Sequence, residues 1–98
     1  MPDAFDKDLE FDWDQGNLDK SRLKHRVSTQ ESEQAFLDSK TFLTTDVKHS
    51  TIEPRYQLLA RTKFGKRLTI YFTLRKNKIR IISARPMSKK EKAQYEKI

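Results

Sequence analysis

Residues 67–74 alternate without a break: Leu68, Ile70, Phe72 and Leu74 fall between Arg67, Thr69, Tyr71 and Thr73. A period of two sends one set to one side of an extended chain and the other set to the opposite side, whereas a helix would scatter both. The segment therefore predicts an antiparallel strand with one buried face. Arg55 to Thr62 and Lys78 to Ala84 flank it as further strands. Gly65 and Asn77 lie in the two connections, and both residues tolerate turn dihedrals. The expected core is a three-stranded meander, with fragments near residues 10–13 and 41–45 able to widen it.

An isolated meander needs a cover, and the flanking sequence supplies helices. Asp14 is a plausible N-cap, with Trp13 and Leu18 placed as a hydrophobic staple, which predicts a helix to about Lys24 burying Leu18 and Leu23. Ser28 and Glu31 form a capping box that opens a second helix over Thr29 to Leu37. Pro86 stops the last strand, and Ser88 with Glu91 caps a short terminal helix able to bury Tyr95 and Ile98. The fold class is α+β: two N-terminal helices, a small antiparallel sheet and one C-terminal helix. At 98 residues the chain is expected to be a single domain, 1–98, with 1–9 flexible and 10–96 packed.

Charge is divided unevenly. Residues 1–53 carry a net −5 and residues 54–98 a net +12. The basic half is also the strand-rich half, so its arginines are expected on a rigid sheet, where guanidinium groups at fixed spacings suit phosphate. RNA or DNA is the expected partner. The absence of cysteine excludes disulfides, thiolate metal sites and a cysteine nucleophile, and fits a reducing cytosol. Neither a signal peptide nor a run of about 20 apolar residues is visible, so a cytoplasmic protein with no membrane association is expected.

The segment Arg80-Ile81-Ile82-Ser83-Ala84-Arg85 carries the most chemistry. Strict alternation would put Arg80 on the face of Ile82 and Ala84, and Arg85 at the strand end. Arg55 and Arg61 share a parity on the first strand. Together these arginines could form a phosphate-binding concavity; ordinary edge charge is the competing account and the better one for Lys76 and Lys78. His25, beside Lys24 and Arg26, is either a base working near neutral pH or a cap on the first helix. His49 lies in a polar loop and suits a positioning role. Glu53 precedes Pro54 and Arg55, where it could orient the arginine, take a proton or remain a surface carboxylate. Lys89 and Lys90 occupy the first turn of the last helix, where the macrodipole disfavours cations unless a polyanion is near. No metal site or cofactor is expected, since no acid stands at ligand spacing from either histidine.

Several of these segments, in order, resemble the BrnT toxin family: Phe11-Asp12-Trp13-Asp14, Lys24-His25-x-Val27-Ser28, Ala35-Phe36-Leu37-Asp38, Asp46, His49-Ser50, Glu53-x-Arg55-Tyr56, and the hexapeptide ending at Arg85 followed by Glu91 and Tyr95. The chain departs from the family pattern at Asn17, usually Lys; Ser21, usually Asn; and Arg26 and Ala60, both usually Gly. The resemblance implies a RelE-like fold and the toxin half of a type II toxin–antitoxin pair, a metal-independent endoribonuclease that halts translation. It also implies a BrnA-like ribbon-helix-helix antitoxin that neutralises the toxin and carries the complex to operator DNA. The family's functional positions map to Lys24, His25, Glu53, Arg55, Arg61, Arg80 and Arg85.

Metal-free RNA cleavage needs a base for the ribose 2′-hydroxyl, cations for charge developing on phosphorus, and a proton for the leaving oxygen. Arg61, Arg80 and Arg85 are assigned to the phosphate and Glu53 or His25 to the base, with the acid left open. Lys24, Arg55, His49, Lys89 and Lys90 are expected to bind RNA. The alternative is a non-catalytic basic module that binds nucleic acid or a protein partner.

Overall fold

The computed structural model describes residues 10–12, 26–45 and 54–97. Through them the chain runs as helix α1 (Thr29–Ala35), strands β1 (Phe42–Thr45), β2 (Tyr56–Arg61), β3 (Arg67–Arg75) and β4 (Lys78–Pro86), and helix α2 (Lys89–Glu96). The strands form one antiparallel sheet in sequential order β1-β2-β3-β4. The expected meander is present, and the fragment at Phe42-Leu43 is a full fourth strand, pairing Phe42 with Leu59 and Thr45 with Tyr56. The helix expected over 14–24 lies outside the described residues.

Two classes of side chain separate across the sheet. One face carries Leu58, Ala60, Leu68, Ile70, Phe72, Ile79, Ile81 and Ala84, all buried beneath Val27, Ala35 and Phe36 of the α1 region. The Phe36 ring meets Phe11 and Phe72 edge-on at 5.4 and 5.1 Å, a favoured aromatic geometry. The opposite face is polar except at Leu59 and its β1 partner Phe42, where Met87 and Tyr95 from the α2 end form a second, smaller core. The two helices thus cover opposite sides of the sheet; Thr69 is buried against Glu91 of α2 and Thr73 against Pro54, although both alternate with the main core.

Both capping boxes form as expected. The Ser28 hydroxyl accepts from the Glu31 amide at 3.1 Å, and the Ser28 amide donates to the Glu31 carboxylate at 2.9 Å. That amide, together with Lys66 and against the opposing effect of burial, lowers the Glu31 pKa. Helix α1 stops at Ala35, short of the expected Leu37. The reason is Asp38, whose carboxylate accepts from the Arg61 amide at 2.9 Å and the Tyr95 hydroxyl at 2.7 Å. A further helical turn would carry Asp38 away from both.

The β3–β4 connection holds Lys76 and Asn77 at φ of 50° and 66°, the left-handed pair of a two-residue type I′ hairpin. Asparagine tolerates this conformation and lysine does so poorly. The double variant K76N/N77G should therefore gain about 0.5–1 kcal/mol and raise the thermal midpoint by a few degrees, read by circular dichroism. An unchanged or lower midpoint contradicts this account of the turn. Arg26 is also left-handed, at φ 55°.

One irregularity decides the placement of the arginines. Between β3 and β4 the register shifts at Tyr71/Phe72: Tyr71 pairs with Ser83 but Phe72 with Ile81, leaving Ile82 as an extra residue. Strict alternation along 78–85 is therefore broken. Arg80 does not share a face with Ala84. Opposite Thr73, it lies on the polar face with Ser83 and Arg85, while Ile79, Ile81 and Ala84 are all buried on the other. A β-bulge re-aims side chains in this way.

Candidate nucleic-acid interface

The polar face of β3 and β4 can be followed by register. Arg85 stands opposite Thr69, Ser83 opposite Tyr71, and Arg80 opposite Thr73. Four residues of strand separate Thr69 from Thr73, so the backbones of the two arginines lie about 13 Å apart, with Tyr71 and Ser83 between them.

At one end, Arg85 grips Glu91 of α2 in a bidentate pair, with Nη1–Oε1 at 2.7 Å and Nη2–Oε2 at 2.8 Å. Glu91 also accepts from the Thr69 hydroxyl at 2.8 Å, the Ser88 amide at 2.8 Å and the Gln57 amide at 3.2 Å. Burial works to raise its pKa, but the bonds from Arg85, Ser88 and Thr69 outweigh it and hold the carboxyl at about 2. Hydrogen bonds from the guanidinium to Glu91 likewise push the Arg85 pKa upward against burial. Tyr71 joins this network: its hydroxyl accepts from Gln57 at 3.1 Å and from Arg85 at 3.3 Å. With two donors already directed at the oxygen, the phenolic proton is left to donate elsewhere.

At the other end, Arg80 faces Asp12 at 3.5 Å, a long and half-exposed pair. Asp12 is held there by a parallel bridge from the 10–12 segment to the outer edge of β4: its amide donates to the Ile79 carbonyl, and the Ile79 amide donates to the Glu10 carbonyl, both at 2.8 Å. The neighbouring Thr73 hydroxyl donates to the Pro54 carbonyl at 2.7 Å. That bond draws Pro54 and the half-buried Arg55 to the Arg80 end of the sheet.

Arg61 closes β2 on the same face, paired in register with Arg67 near the Arg85 end. Its side chain is exposed and it lines a cavity of about 310 Å³ with Gln34, Asp38 and Ser39. Tyr95 sits behind this corner, its pKa raised to about 12 by burial and by its bond to Asp38. Lys89 and Lys90 are exposed on the first turn of α2. Arg55, Arg61, Arg80 and Arg85 thus belong to one side of the sheet or its margin, though to two ends and not one cleft. Lys24, His25, His49 and Glu53 lie outside the described residues.

Sequence reading missed four contributors. Glu91 looked complete as a capping residue, and nothing local signals that its other duty is to hold Arg85. Tyr71 and Gln57 are polar members of alternating strands whose partners are set only by register. Asp38 had no visible partner because those partners are 23 and 57 residues away.

A sheet face strung with arginines and half roofed by a capped helix defines a small basic α+β domain. The family model for the ribonuclease toxin BrnT of type II toxin–antitoxin systems matches residues 13–91, and the chain belongs to that family. No curated protein matches the chain. Membership makes the chain a ribonuclease toxin of a type II system and implies an antitoxin partner. Among the described residues, no helix is long and apolar enough to cross a membrane.

Proposed function

We propose that the chain is a metal-independent endoribonuclease that stops translation by cutting RNA, and that a BrnA-like ribbon-helix-helix antitoxin neutralises it and tethers the complex to operator DNA. The observation that carries this reading is the bulge at Ile82, which brings Arg80 and Arg85 to one face of a sheet in a chain of the BrnT family. In the proposed step a base removes the ribose 2′-proton and O2′ attacks phosphorus. The 5′-oxygen then leaves with a proton, giving a 2′,3′-cyclic phosphate and a free 5′-hydroxyl.

Arg80 takes the non-bridging oxygens of the scissile phosphate, a role suited to a forked, permanently charged donor, and Arg61, at the other end of the sheet, takes a separate phosphate along the strand of RNA. Arg85 works from its Glu91 pair and fixes the tyrosine between the two arginines. Glu91 is not the base, because a carboxyl titrating at about 2 and already accepting several bonds has little affinity for a proton. Glu53 or His25 fills that role. Tyr71, with its own proton directed outward, supplies the acid that sequence reading left unassigned. Lys24, Arg55, His49, Lys89 and Lys90 track the flanking backbone.

The test is incubation of purified protein with total RNA in EDTA, followed by end-group analysis. Cyclic-phosphate fragments are expected, and Tyr71→Phe should slow their release by roughly 100-fold while leaving the fold intact. Intact RNA under these conditions rejects the enzymatic reading. It would favour the non-catalytic binding module, for which the bidentate closure of Arg85 on Glu91 is the supporting observation.

A further inference from the structure

The β2–β3 hairpin ends in a side chain that the fold does not explain. Phe64 is 84% exposed, the most exposed of the large apolar residues described. It is not on a loose loop. The turn that carries it is closed by three bonds: the Thr62 amide to the Lys66 carbonyl at 2.9 Å, the Gly65 amide to the Thr62 carbonyl at 2.9 Å, and the Lys66 amide to the Thr62 hydroxyl at 3.1 Å. Gly65 completes the turn at φ 89°, a conformation that other residues adopt only with strain. A ring is thereby presented to solvent on a rigid mount.

Its surroundings are cationic. The Lys63 ammonium lies 5.1 Å from the ring centroid, and the turn springs from Arg61 and returns through Lys66 and Arg67, which pair with Glu31 and Glu96 at 3.0 Å each. The cavity of about 310 Å³ beside Arg61 and Lys63, lined also by the exposed Leu37, adjoins the turn, and the buried Oε1 of Gln34 in its lining has no hydrogen-bond partner among the described residues. A protein-docking site would surround the phenyl with apolar area. A rigidly mounted aromatic ring between Lys63 and Arg61, with one aliphatic neighbour, is instead an arrangement suited to single-stranded nucleic acid, where bases stack and phosphates pair.

We propose that Phe64 is a stacking platform for a nucleobase of the RNA substrate, flanking the phosphate that Arg61 contacts. The Lys63 side strengthens the ring's hold through its charge, and the solvent side receives the base. The proposal rests on the ribonuclease reading for the identity of the ligand but not for the existence of the platform.

The test uses the full chain and a fluorescein-labelled single-stranded 2′-O-methyl RNA octamer, which has no 2′-hydroxyl to attack phosphorus and so stays intact, with binding read by anisotropy at fixed salt. Phe64→Ala should weaken binding about tenfold, within the range of one lost stack. Phe64→Trp should retain affinity, and Phe64→Leu should behave as the alanine variant because an aliphatic side chain has no aromatic face. An octamer with an abasic residue at the stacked position should bind wild type about tenfold more weakly and the alanine variant no differently. Equal affinity of wild type and Phe64→Ala overturns the platform, as does a leucine variant that binds like wild type. Should Phe64→Ala keep its RNA affinity but escape neutralisation by antitoxin, the ring belongs to a protein interface and the proposal fails. If wild type binds through Phe64 but leaves total RNA uncut, the platform stands and the ribonuclease reading falls.

Discussion

Replacing Glu91 with Gln should lower the unfolding free energy by about 3 kcal/mol at neutral pH, a fall in midpoint of more than about 10 °C for a domain this size. The carboxylate terminates a strand arginine, satisfies the buried Thr69 hydroxyl and completes the α2 cap, so one substitution strips charge from all three contacts. The amide leaves Arg85 half-buried and facing a neutral group. The effect carries a pH signature. Because the folded carboxyl titrates at about 2, below its ordinary value of 4.5, its contribution is complete above pH 4.5 and is lost as pH falls towards 2. Wild type and Glu91→Gln should therefore differ fully at pH 6 and converge near pH 2. A constant difference across that window in chemical denaturation would show that the pair is not what stabilises the α2 docking.

The second large effect is on cleavage. Arg80→Ala should reduce RNA cleavage by 100- to 1,000-fold, the usual consequence of losing a donor aimed at developing charge, in a protein that still folds by circular dichroism. The Arg80–Asp12 contact, long and partly solvated, itself adds little to stability. Arg80→Lys should recover only part of the rate, since an ammonium cannot donate as a fork. Asp12→Asn should cleave at least as fast as wild type, because Asp12 competes with phosphate for the same guanidinium. Cleavage by Arg80→Ala within threefold of wild type removes this residue from the site.

Where local chemistry dominates, the sequence was readable. Capping boxes are bonds between residues three apart, and Ser28–Glu31 and Ser88–Glu91 form as their spacing requires. The meander was equally legible, since Leu68, Ile70 and Phe72 must share a face wherever β3 lies. The arginine site was legible only as a composition. Its geometry turns on Ile82, which has no side-chain feature that marks it as irregular, and on two long-range carboxylates. Glu91 meets Thr69 22 residues away, and Asp38 meets Tyr95 57 residues away, separations that no local pattern encodes. The fate of Arg85 was hidden for the same reason. A guanidinium that reads as free for phosphate is already held by a helix whose docking depends on Met87 and Tyr95.

The interval from Arg80 to Arg85 is odd, and in a regular ribbon an odd interval sends its ends to opposite sides. The unpaired isoleucine absorbs that mismatch. The length of this hexapeptide is therefore constrained as firmly as its residue types. A one-residue insertion or deletion inside it would preserve both guanidines yet turn one of them into the hydrophobic interior, so a homologue of altered spacing should not be assumed to display the pair together.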